Sequence, residues 1–168
     1  MATPKENHEM WNNVDHSATS LLSNPVFLSA VWSMFSAQFV KVIVNIFRWK
    51  KYSWHDAFAT FLWRTGGMPS SHSSLVVSLA TSVGIVEGPG SNLFIITTFV
   101  ALIVIRDAMG VRRAAGVQAK SLNSLGRLVS RHFDMHFTPV KEVMGHTPFQ
   151  VLVGGVLGFF TAIAFCTL

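Results

Sequence analysis

The 168-residue sequence has one cysteine, Cys166, and one tyrosine, and only 12% of its residues carry charge. A lone thiol inside an apolar run excludes an intrachain disulfide, and with it the small secreted modules that depend on such staples. The charge content is about half that of an ordinary soluble domain, whereas 50% of the residues are hydrophobic and the mean hydropathy is +0.43. This composition excludes a disordered or collagen-like chain. Acidic side chains are fewer than basic ones, eight Asp and Glu against thirteen Lys and Arg, for a net charge of +5. Excess positive charge suits nucleic acid, anionic lipid or a phosphorylated ligand, and its distribution along the chain decides among them. The sequence carries no internal repeat and no low-complexity tract.

Residues 1–23 are polar and have neither the apolar core of a secretory signal nor the Arg-rich, acid-free makeup of a transit peptide, so they are expected to be a retained tail preceding a domain over 24–168. Four apolar stretches follow. Pro25 to Phe47, Asn92 to Ala108 and Pro148 to Leu168 each have the length and composition of a membrane-spanning helix. Pro69 to Val86 is richer in Ser and Thr, with Ser78, Ala80, Ser82 and Gly84 as small residues for packing against neighbouring helices. The turn at 87–91, Glu-Gly-Pro-Gly-Ser, makes the second and third spans an antiparallel hairpin. Between the third and fourth spans, Val117, Leu122, Leu125 and Val129, with Ala115 and Ala119, form an apolar stripe opposite Lys120, Ser124 and Arg127, the pattern of a helix lying at the interface. The expected fold is all-α: an integral membrane bundle of about four transmembrane helices plus this amphipathic one.

Basic residues concentrate in the loops 48–67 and 110–147, while the 87–91 turn has none. The positive-inside rule places both basic loops on the cytoplasmic, matrix or stromal side and the chain ends opposite. Topology thus accounts for much of the charge, and no nucleic-acid partner is expected, because aromatics sit in and beside the spans and do not interleave with the basic surface.

The segment Gly66-Gly67-Met68-Pro69-Ser70-Ser71-His72-Ser73 reads as a helix amino terminus carrying a histidine, since Pro suits the first turn and hydroxyls cap it. Gly145-His146-Thr147-Pro148 repeats this arrangement at the last span. Unpaired N–H groups make helix starts anion sites. Lys41 and Arg48 are two helical turns apart on nearly one face, and Arg106, Asp107, Arg112 and Arg113 fall on the same side of the membrane. Charges near or within spans face the bundle interior and need partners, so a cationic pocket with two histidines, suited to a phosphate group, is one interpretation. Plainer roles compete with it: Lys41 snorkelling to the interface, His72 as a packing histidine, the serines as ordinary caps, and Asp107 neutralising Arg106 or Arg112. His132-Phe133-Asp134-Met135-His136 alternates ligand types but lacks a four-ligand scaffold. Neither a metal site nor a cofactor is expected.

These segments, together with Asp107-Ala108-Met109-Gly110-Val111-Arg112, Gly116-Val117-Gln118-Ala119 and Leu122-Asn123, resemble the divergent branch of the type 2 phosphatidic acid phosphatase superfamily, the acid phosphatase/vanadium-dependent haloperoxidase-related membrane proteins. The resemblance covers roughly residues 25–168. Lys41 and Arg48 match the spacing of the superfamily's first motif, with Trp49 in place of its proline; Pro69-Ser70-Ser71-His72 matches the second, with Ser71 for glycine. In the third, His146 matches the histidine, Gln150 stands in place of the aspartate, and Lys141 lies five residues before His146 where no correctly spaced arginine is found. The resemblance implies that His146 attacks phosphorus and His72 protonates the leaving oxygen. It further implies that Lys41, Arg48, Arg112, Ser70 and Ser71 bind the phosphoryl group, with Asp107, Gln150 and Gln118 in support. Two functions follow: hydrolysis of a lipid phosphate or small phosphate ester in contact with membrane lipids, or an inactive accessory or scaffold subunit whose partner subunits contact residues 1–23.

Overall fold

The computed structural model describes residues 20–48, 67–142 and 145–168. Most of the tail at 1–23 and the greater part of the 48–67 loop, with Lys50, Lys51 and Arg64, lie outside the described residues. Those described form helices and connecting segments without a strand. The helices are α1 (Pro25–Arg48), α2 (Ser71–Val86), α3 (Asn92–Met109), α4 (Val111–Phe133) and α5 (Pro148–Thr167).

α1, α3 and α5 lie in segments long and apolar enough to cross a membrane, and α2 is a shorter apolar helix. At 1.5 Å per residue the 16-residue α2 is about 24 Å long, somewhat under the roughly 30 Å of a hydrocarbon core. Its place in the bundle explains how so polar an apolar helix is tolerated. α2 is central, packed against α1, α3 and α5, and α1 also touches α5. Its hydroxyls therefore face helices and not lipid.

The stripe that achieves this is Ser70, Ser74, Ser78 and Ser82, each fully buried, running one turn at a time down α2. Of the expected small residues, Ser78 and Ser82 belong to it, whereas Gly84 faces the ring of Phe94 on α3. A Cβ on Gly154 would run into the carbonyl oxygen of Ser70, and one on Gly158 into that of Ser74. The Gly-x-x-x-Gly face of α5 thus lies backbone to backbone on the serine face of α2. Lipid tails are as apolar as leucine, so such close contact substitutes for a hydrophobic driving force between helices. On the other side, the Ser74 hydroxyl donates to the Ser33 carbonyl of α1 at 3.1 Å. A small aliphatic core of Val76, Ala80 and Ala101 closes α2 against α3.

Two caps define where α2 and α5 begin. Ser70 accepts from the Ser73 N–H at 3.3 Å and from its hydroxyl at 2.9 Å. Thr147 accepts from the Gln150 N–H, and the Gln150 side chain reaches back to the Thr147 N–H at 3.1 Å, a reciprocal capping box. The starts are fastened together by a bond from the Ser70 N–H to the Gln150 carbonyl at 3.1 Å. Ser70→Ala is expected to cost about 1 kcal/mol through loss of the cap, measured as a lower unfolding midpoint in detergent; an unchanged midpoint would contradict a capping role.

α4 contacts α3 alone among the described helices. Gly110 separates the two, and after Phe133 the chain runs back along α4 in an extended segment. Asn123, buried on α4, binds both backbone groups of Val140 and the Glu142 carboxylate, each at 2.8 Å. Phe137 covers Gly126. Asp134, within the alternating His and Asp segment, is the left-handed residue that ends α4. The amphipathic character expected of this region is present: Val117, Leu122 and Leu125 are exposed, while Ala119 turns toward the Gly116 and Asn123 side.

Candidate functional site

The end of α1, the starts of α2 and α5 and the α3–α4 junction meet at one end of the bundle. His146 precedes the Thr147 cap of α5 and is only 6% exposed. Its N–H donates to the Ala108 carbonyl at 3.0 Å, and Gly145 lies so close to the backbone of Arg113 that a Cβ would not fit. The residue is therefore held by α3 and the start of α4 as well as by its own helix.

The ring orientation follows from the cap. The Thr147 N–H has only a proton to offer, so the atom of Gln150 facing it is the amide oxygen, Oε1. The same oxygen lies 3.2 Å from Nδ1 of His146. Nδ1 consequently donates, and in the neutral ring the lone pair is left on Nε2. Burial holds the His146 imidazole below the ordinary histidine range; the bond to Gln150 opposes this, while Lys41, His72 and Arg112 add to the lowering. Near neutral pH the ring is uncharged, as a nucleophile must be.

Lys41 is 2% exposed, its stem runs beside Gly67, which has a positive φ of 88°, and Nζ donates to Gln38 Oε1 at 2.9 Å. No carboxylate lies within ion-pair distance of it among the described residues. An ammonium enclosed in a membrane bundle with one neutral partner is costly unless an anion joins it, so the structure disfavours snorkelling as its role. Arg112 and Asp107 form an ion pair, Nε to Oδ2 at 2.7 Å, across the α3–α4 junction, which leaves the terminal guanidinium nitrogens available. His72, exposed in the first turn of α2, is within electrostatic reach of Arg112, Lys41 and Asp107. His146 in turn feels Lys41, His72 and Arg112.

The structure thus brings together His146, His72, Lys41, Arg112, Asp107 and Gln150. Ser70 departs from the expected phosphate-binding role, because its hydroxyl is fully buried and committed to the cap of α2. Ser71 is also largely buried, but its hydroxyl makes no hydrogen bond to a described residue, and its backbone N–H, like that of His72, has no acceptor among them, so both groups remain to an anion. Gln118 is exposed on α4, about 9 Å along the helix from Arg112, and its side chain makes no hydrogen bond to another described residue. Arg48 ends α1, and its side chain lies outside the described residues. Gln38 was not among the expected site residues, although its position three before Lys41 puts both on one helix face. The Gly154 and Gly158 pair likewise carries a readable signal, the four-residue glycine spacing in an apolar run.

A helical bundle that crosses a membrane several times and gathers buried ionisable side chains at one end is a multi-pass membrane protein organised around that end. The sequence relationships are more specific. The profile of the Divergent PAP2 family matches residues 22–161, and the chain belongs to that family. It is 36% identical over 149 residues to the uncharacterized membrane protein YuiD of Bacillus subtilis (strain 168), covering 82% of this chain and 91% of YuiD. No solved structure matches the chain significantly.

Proposed function

We propose that the protein is a membrane phosphatase acting on a lipid phosphate or phosphate monoester through a phosphohistidine at His146, with its site on the cytoplasmic, matrix or stromal face where the basic loops lie. The observation that carries this reading is the fixed tautomer: Nδ1 of His146 is engaged by an amide oxygen that the Thr147 N–H orients, so Nε2 bears the lone pair. In the first step Nε2 bonds to phosphorus as the ester P–O bond breaks, and protonated His72 gives its proton to the leaving oxygen. In the second, water attacks phosphorus, His72 takes a proton from it, and the P–N bond breaks to release phosphate and restore His146. Lys41 and Arg112 balance the phosphoryl charge, together with the free N–H groups of α2. The test is phosphate release by the purified protein from a panel of lipid phosphates and small phosphate esters, with His146→Ala and His72→Ala prepared identically. Release that His146→Ala leaves intact would refute the mechanism.

The acidic limb of kcat/KM belongs to His146, whose unprotonated ring is the active form and whose pKa is lowered, so this limb is expected below about pH 6.5. Loss of the His72 proton supplies the opposing alkaline limb and makes the profile bell-shaped. Gln150→Glu, which keeps the acceptor in place and adds charge, should stabilise the imidazolium, raise the rate about tenfold and move the acidic limb upward. A limb that stays in place would show that Gln150 does not act on His146.

Gln150 also favours a second reading. A neutral amide supports a histidine without stabilising positive charge on it, as suits a protein that binds a phosphate-bearing headgroup in this pocket as an accessory or scaffold subunit of a larger assembly. In that case phosphate binds, His146→Ala weakens binding, and no phosphate is released from any ester. The surface expected to meet partner subunits, residues 1–23, falls mostly outside the described residues.

A further inference from the structure

A broad exposed apolar surface attached to the site belongs to α4. Advancing 100° per residue divides this helix into three faces. Gly116, Asn123 and Gly126 lie under the returning segment. Val117, Leu122, Leu125, Leu128 and Phe133 lie on a second face and are 51–69% exposed. Arg113, Lys120, Arg127 and Arg131 line the third, also exposed, and α4 contains no acidic residue. Among the described helices α4 touches only α3, which leaves these apolar and cationic faces without a partner among the described residues.

We propose that α4 and its return segment form an arm that docks on an anionic lipid surface, with Leu122, Leu125, Leu128 and Phe133 in the acyl boundary and the Arg113, Lys120, Arg127 and Arg131 stripe on lipid phosphates. Charge complementarity selects this occupant. A second copy packed by the same apolar face would bring cations beside cations, with no acid on either α4 to pair them. Position agrees: the 18-residue α3 is about 27 Å long, enough to cross most of a hydrocarbon core, so α4, which begins at Val111 after the Gly110 junction, starts near the headgroups. The arm is about 34 Å long. Its base is fixed at the site by Gly145 against Arg113 and by His146 on Ala108.

The test places an environment-sensitive dye at Leu125→Cys in a Cys166→Ala background and reconstitutes the full chain, one copy per nanodisc, in phosphatidylcholine alone or mixed with phosphatidylglycerol. The anionic discs are expected to shift emission to the blue and to strengthen quenching by doxyl-labelled acyl chains severalfold. Added salt, or Gln at Arg113, Lys120, Arg127 and Arg131 together, should reverse both changes. The same dye at Ser124→Cys should remain accessible to an aqueous quencher. Equal emission and quenching in the two lipid compositions would overturn the proposal, as would a blue shift seen only when two copies share a disc. The lipid comparison uses the native cations, so the result stands even if the fourfold variant misfolds.

Discussion

His146→Ala is expected to reduce phosphate release to roughly a thousandth of the native rate or less, because the mechanism loses the atom that bonds to phosphorus. The scaffold around it should survive. The bond from residue 146 to the Ala108 carbonyl is made by the backbone, and Gln150 keeps its bonds to Thr147. Helical content and unfolding midpoint therefore serve as controls. His72→Ala should behave differently. A general acid matters most when the leaving oxygen is strongly basic, so this variant is expected to lose the phosphorylation of His146 by alkyl phosphates and to keep it with an aryl phosphate with an acidic phenol, read as a burst of phenol followed by slow turnover at the hydrolysis step that both esters share. Equal losses of the phosphorylation step on both esters would contradict the assignment of His72.

The second large effect is structural. Gly154→Leu or Gly158→Leu would force the backbones of α2 and α5 apart, since even a Cβ at either position meets a carbonyl oxygen of α2. Separation also breaks the bond from Ser70 to Gln150 that fastens the two helix starts, and with it the alignment of His72 and His146. A stability loss of about 3 kcal/mol or more is expected, read as a collapse of the monodisperse peak in detergent or a steep fall in unfolding midpoint. Gly155→Ala is the contrast on the same helix. Its Cβ would rest at an ordinary 3.5 Å from Val77, so the variant should fold normally. Parallel behaviour of the positions would argue against backbone contact as the reason for glycine.

The sequence makes the spans visible because hydropathy over a full helix length is a local property; observed and expected ends of α1, α3 and α5 agree to within a residue. The histidines at two helix starts are visible for the same reason, since Pro and hydroxyl caps act over three or four residues. Facing relations are less visible. Ser70 looks like a phosphate ligand in a motif, yet burial commits its hydroxyl to the cap. The serine stripe becomes a packing surface only opposite Gly154 and Gly158, some eighty residues away. The return segment depends on Asn123 reaching Val140 and Glu142, pairings that no periodicity encodes. Gln150 is the most instructive residue. Its neutrality is plain in the sequence, whereas its second task, fixing the His146 tautomer through an oxygen already bound to Thr147, emerges only from geometry.

The most direct test of the central claim is to trap the covalent intermediate. Protein in mixed micelles is exposed briefly to phosphatidic acid labelled with radioactive phosphate, quenched in alkali, and the labelled peptide located by mass spectrometry. The proposed mechanism expects an alkali-stable, acid-labile phosphate on His146, absent from His146→Ala and stronger in His72→Ala for an ester with an acidic leaving group. Phosphate release from phosphatidic acid with label on a different residue, or with none on His146 at any quench time, would contradict it.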